Sequence, residues 1–171
     1  MLYLCILLYA VLFAGVAMTV GEGLWSNTLS LLAIWLAASL AVALGPGLGV
    51  WAQVDLFESD VSFTWQFVFA GIWLVFFVSI LIIRVLFDKA SKVRLRFIPQ
   101  LDAIAGPLMG VFVAIVFASF CTITLMVPIQ AGAWSFKDSG DWQKTTVQYL
   151  RAPMLNMLKA WAGEDRFGDL E

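Results

Sequence analysis

The chain has 171 residues, of which 62% are hydrophobic and 13% charged, and its formal net charge is −2. With a mean hydropathy of +0.93, it lies far from the soluble balance of about a quarter charged residues, which excludes an ordinary soluble domain and leaves no basic surface for nucleic acid. Histidine is absent and the two cysteines, Cys5 and Cys121, sit far apart in apolar runs, so metal, haem and redox chemistry lack their usual ligands and no cofactor is expected.

Residues 2–20 carry no charge and suffice for a span of ~20 residues. Gly15-Val16-Ala17 loosely resembles a cleavage site, but no Lys or Arg precedes the apolar stretch, so a retained span is expected. A second span is expected over about 28–44, ended by Gly45-Pro46-Gly47. The connection 45–60, with Trp51, Leu56 and Phe57 among acids, reads as a short interfacial segment. A third span covers about 61–83, and a fourth covers about 102–127, closing at Val127-Pro128. That last helix starts either near Gln100, with a bend at Pro107, or at Pro107 itself. All four must be helical, because an open strand in lipid leaves its peptide groups unpaired. The expected fold is therefore an all-α membrane protein: a four-helix transmembrane domain over 1–130, then an amphipathic, partly helical extramembrane tail over 131–171.

Charge placement predicts orientation. No Lys or Arg occurs before Arg84, and then Arg84, Lys89, Lys92, Arg94 and Arg96 crowd the connection between the third and fourth spans. Basic loops are retained in the cytoplasm, which puts both termini outside. The same cluster could attract anionic headgroups, but orientation alone accounts for it.

Small residues recur every fourth position in two spans. The second holds Ala33, Ala37, Ala41 and Gly45; the fourth holds Gly106, Gly110, Ala114, Ala118 and Thr122, with Asp102 one step earlier on the same ridge. Such ridges let backbones approach in lipid, so the two are expected to face each other or to meet partners across a homo-oligomer interface. Asp102 itself is expected at the bilayer edge, where a first-turn carboxylate is favoured by the helix dipole and unpaired amides. The alternative is an embedded acid on a polar path. Trp35, Trp65 and Trp73 read as packing or lipid-facing residues.

The tail places Val147, Leu150, Met154, Met157, Leu158 and Trp161 at helical spacing. The stripe is expected to lie in the interface, with Trp142 and Trp161 as anchors, or to pack on the protein itself, the alternative being that it grips a partner or another copy of the chain. Pro153 is expected to end or kink a helix.

The order of these features resembles the colicin V production protein family of bacterial inner-membrane proteins, over roughly residues 1–130. Asp102, Gly106 and Gly110 match that family's Asp-x-x-x-Gly-x-x-x-Gly opening of the last span, and Gly23, in "GEGLWSNTLSLLA", is the next match. The chain departs from the family in carrying Glu22 where an Arg is usual, Asn27 where an acid is usual, and Phe112, Val113 and Ala114 in place of an Arg-Gly. No N-terminal Asp is present in "MLYLCILLYA". The resemblance implies a non-enzymatic membrane protein associated with toxin production and cell-envelope maintenance in the bacterial inner membrane. Its expected partners are the lipid bilayer, further copies of the chain or other membrane proteins. No His, and no Lys beside a Ser within a span, is available as a base for acyl transfer. The second expectation is a small channel or carrier for protons, ions or small solutes, with Asp102 lining the path.

Overall fold

The computed structural model describes residues 2–90, 99–130 and 140–162, and its elements there are helices with no strand. These are α1 (Leu2–Thr19), α2 (Leu24–Trp51), α3 (Thr64–Ala90), α4 (Pro99–Gln130) and α5 (Asp141–Ala162), with a π-helical turn at Ala52–Leu56 and a 3-10 turn at Val61–Phe63. The first four are long and apolar enough to cross a membrane, so the chain is a membrane protein with four candidate spans and a fifth, amphipathic helix.

Neighbouring residues fix an up-and-down order. Gly15 of α1 meets Ala114 of α4, and Thr19 meets Gly110, so these two helices run antiparallel. Gly45 of α2 meets Ile72 of α3, and Gly49 meets Val68, so that pair is antiparallel as well. The ends of α1 and α3 and the starts of α2 and α4 thus share one face of the bundle. α4 is the central element: 67% of its spanning window is buried, against 17% for α1. One buried cluster joins Ala37, Ala38 and Ala41 of α2, Ile72 and Phe76 of α3, Val116, Phe120 and Ile123 of α4, and Met154, Leu155 and Leu158 of α5. A second joins Leu4, Cys5 and Leu8 of α1 to Cys121, Leu125 and Met126 of α4 and Val147 of α5. Trp73 packs edge-on to Phe76 and Phe120, whose own rings stack at 4.5 Å.

Several expected boundaries move. The second span does not stop at Gly45-Pro46-Gly47; α2 continues through Pro46 to Trp51. An added Cβ at Gly45 would lie 2.5 Å from Ile72 Cα, and one at Gly71 would lie 2.9 Å from Gly49 N. Glycines at these positions let α2 and α3 touch backbone to backbone, and that packing holds the helix across a proline, which membrane helices tolerate when neighbours support them. Beyond it, buried Gln53 donates from Nε2 to the carbonyls of Asp60 (2.9 Å) and Ser59 (3.4 Å), while Glu58 takes φ 46° to turn the chain towards α3. Trp51, Leu56 and Phe57 are exposed there. α4 starts at Pro99, runs through both Pro107 and Pro128, and so takes the earlier of the two expected starts. α5 likewise continues through Pro153.

Candidate functional site

The residues singled out in the fourth span converge on the turn between α1 and α2. Asp102 lies in the first turn of α4, half-buried, and its Oδ1 accepts the backbone N–H of Leu24 at 2.6 Å. Leu24 opens α2, whose own N-cap position is Gly23 and supplies no side-chain cap. The first N–H groups of a helix lack intrahelical acceptors, and here a carboxylate from another helix fills that role. Asp102 therefore caps a helix, but the amide it bonds belongs to α2 and not to the first turn of its own α4, where the capping role was expected. Gly23 leaves room for it: a Cβ there would lie 3.2 Å from Asp102 Oδ2.

Asn27, 1% exposed, forms the centre of the same joint. Its Nδ2 donates to the carbonyls of Gly106 (2.9 Å), Thr19 (3.0 Å) and Glu22 (3.2 Å). Three carbonyls around one atom require a donor, which fixes the amide orientation. One side chain thus ties the end of α1, the turn and α4 together. Thr19 Oγ1 lies 2.8 Å from the carbonyls of both Gly15 and Gly110, so its single proton links α1 to α4 through one or the other. Exposed Glu22 accepts from Ser26 Oγ, which orders the outer edge of the turn.

Gly106 and Gly110 are where this joint presses closest. A Cβ at Gly106 would lie 3.1 Å from Glu22 O, and one at Gly110 would lie 2.7 Å from Thr19 O. The stretch Asp102, Gly106, Gly110 and Ala114 is one continuous ridge seated on the turn and on α1. Ala118 and Thr122, farther along, are fully buried in the bundle. The second ridge, Ala33, Ala37, Ala41 and Gly45, is buried too, with its Gly45 end against α3 and its middle beside Val116 and Phe120 of α4. The two ridges share a core only through that middle portion, and both are covered inside a single chain.

The other sequence-selected residues lie elsewhere. Arg84 and Lys89 are exposed at the end of α3, on the face that carries the Asp102 joint; Lys92, Arg94 and Arg96 lie outside the described residues. In the tail, Val147, Met154 and Leu158 are buried against the bundle and Leu150 is half-buried, so the stripe packs on the protein itself. Trp142 is exposed, and Trp161, although 62% exposed, sets its ring edge-on to Trp35 at 6.2 Å. Cys5 and Cys121, distant in sequence, share one cluster as free thiols.

Two groups were not selected from sequence. Asn27 stood out only as a departure from the family pattern, although an amide in the first turns of an apolar helix is itself a signal of a polar joint. Ser119, in the middle of α4, accepts the Met154 N–H at 2.9 Å and donates to the Arg151 carbonyl at 3.0 Å. It pins α5 where Pro153 interrupts its ladder. Comparison of the chain with protein-family models, with curated proteins and with solved structures finds no match.

Proposed function

We propose that the chain is a non-enzymatic membrane scaffold, an accessory factor in toxin production or export and in cell-envelope maintenance, in keeping with its resemblance to the colicin V production family. It resides in the bacterial inner membrane with the Arg84–Arg96 connection in the cytoplasm and both termini outside, the orientation favoured by basic loops. The observation that carries this reading is the engagement of Asp102. Its carboxylate serves a helix N-terminus, beside an amide and a hydroxyl that are bonded to backbone carbonyls. An acid held this way closes a joint. A proton or ion relay needs the acid facing a polar cavity.

The small-residue ridges supply intramolecular packing, so further copies or other membrane proteins bind through the lipid-facing sides of α1 and α3, where Tyr3, Phe13, Leu74 and Leu81 are exposed. The reading is tested in vesicles holding the purified protein. Proton, ion and small-solute flux is expected to equal that of empty vesicles, for the natural chain and for Asp102→Asn alike. A flux that Asp102→Asn abolishes would establish the channel or carrier reading instead.

A further inference from the structure

The described contacts of α5 set its depth. Ser119, which bonds α5 at Met154 and Arg151, lies about 25 Å along α4 from Asp102 at ~1.5 Å per residue. Trp35, which meets Trp161, lies only about 16 Å along α2 from its capped start. Val147 meanwhile packs with Leu4, Leu125 and Met126 near the opposite end of the spans. From its start towards Trp161, α5 therefore descends along the bundle from the end remote from Asp102 towards mid-span. A helix of this kind, beside apolar spans, must satisfy any polar side chains it turns outwards.

One flank of α5 is polar over this descent. Gln148, Arg151, Ala152, Leu155, Asn156 and Lys159 follow the i, i+3, i+4, i+7, i+8, i+11 pattern of a single helix flank and line an open groove of about 440 Å³. That volume lies within the ~300–1,000 Å³ of small-ligand sites. Its polar groups comprise a guanidinium, an ammonium and two amides. Arg151 and Lys159 also interact elsewhere in the chain, so a ligand joins those interactions. Leu155, in the core cluster, forms the apolar floor, and Ala152 leaves the approach open.

We propose that this flank is a binding site for a phosphate-bearing anion. Arg151 offers a planar donor fork matched to phosphate oxygens, Lys159, about 12 Å farther along the same flank at ~1.5 Å per residue, a compact charge on a long stem that reaches back towards it, and the Gln148 and Asn156 amides further donors. Arg151 is the end of this pair nearer the bundle end remote from Asp102, so a lipid phosphate of that leaflet or a soluble organophosphate would meet the flank there, with Lys159 extending up to it from below. The proposal does not depend on the scaffold reading, since a channel with the same α5 would carry the same site.

The experiment uses the full chain extracted in detergent, with bound lipid read by native mass spectrometry after exposure to phosphatidylglycerol or phosphatidylcholine. A second arm measures the thermal midpoint in phosphatidylcholine nanodiscs on adding glycerol 3-phosphate. Retained phosphatidylglycerol without a response to glycerol 3-phosphate identifies a lipid headgroup as ligand; a thermal shift with glycerol 3-phosphate identifies a soluble anion. Either signal is expected to fall about tenfold or more in Arg151→Gln/Lys159→Gln, given ~1 kcal/mol for each cation. Lys144→Gln, exposed on the same helix but outside the groove, is expected to retain it. Should the double variant fail to fold, Asn156→Asp, which conserves size and adds a negative charge, decides the matter by losing the signal. Absence of both signals, or equal loss in Lys144→Gln, or full retention in the folded double variant or in Asn156→Asp, would overturn the proposal.

Discussion

At the scale of single residues, Asp102 holds the start of α2 through Oδ1, which accepts the Leu24 N–H. A side-chain oxygen at a helix start contributes ~1 kcal/mol. Asp102→Asn keeps an acceptor for the Leu24 N–H and is expected to change stability little, whereas Asp102→Leu removes it and is expected to cost about 1–2 kcal/mol. Thermal unfolding in detergent, followed by circular dichroism, separates the two. Gly106→Leu and Gly110→Leu are expected to be worse than either, because the space a side chain needs is held by the backbone of Glu22 and Thr19, and backbone does not yield as a flexible side chain does. Here the four-residue spacing made the ridge legible, since small residues at that period are a known means of close approach. What the ridge approaches was not legible. Asn27 and Thr19 lie some eighty to ninety residues earlier in the chain, and no local pattern names the partner of a ridge.

At the scale of elements, composition and span length identified the four helices, but proline and glycine misled at their ends. Gly45-Pro46-Gly47 carries the signals of a stop; α2 runs through it because Gly45 and Gly49 seat against α3. That is tertiary packing overriding local propensity. Gly49→Leu is accordingly expected to separate α2 from α3 and lower the thermal midpoint strongly, while Gly47→Leu, with open space around its Cβ position, is expected to be close to neutral. α5 illustrates the complementary case. Its apolar stripe was readable as helical, but a stripe alone does not distinguish lipid from protein as its neighbour. Ser119 decides it through two hydrogen bonds across the interface. Ending the chain after Gly140 is expected to uncover the cluster shared by Cys121 and Val147. A membrane-permeant maleimide then labels Cys121, which is 7% exposed in the intact protein, several times faster. Unchanged labelling would show that α5 does not cover the bundle there.

At the scale of the whole molecule, α4 is the axis. It meets the first turn at one end, α1 along its length, α2 and α3 in its middle, and α5 over its second half. The sequence indicated this centrality only indirectly, through the density of small and hydroxyl residues between Gly106 and Thr122, since all four spans are comparably apolar. Membrane solvation explains why the rest was hidden: in a soluble protein, polarity marks the outer face of a helix, whereas here lipid-facing and core-facing residues are equally apolar and only size and hydrogen bonding separate them. The proposed orientation, with the Arg84–Arg96 connection in the cytoplasm, predicts that thiol reagents confined to the cytoplasmic side label Lys89→Cys but not Val61→Cys, both being exposed positions.

The Asp102 ridge is closed against α1 and its following turn within one chain. The most direct test pairs Gly15→Cys with Ala114→Cys in a chain carrying Cys5→Ser and Cys121→Ser, oxidised in native membranes. A Cβ at Gly15 lies 3.0 Å from Ala114 Cβ, near the ~3.5–4.5 Å of a disulfide. Near-complete crosslinking within single chains is expected, seen as a mobility shift at monomer size that reductant reverses. Crosslinking only between chains, or none under the same oxidation, would contradict this closure.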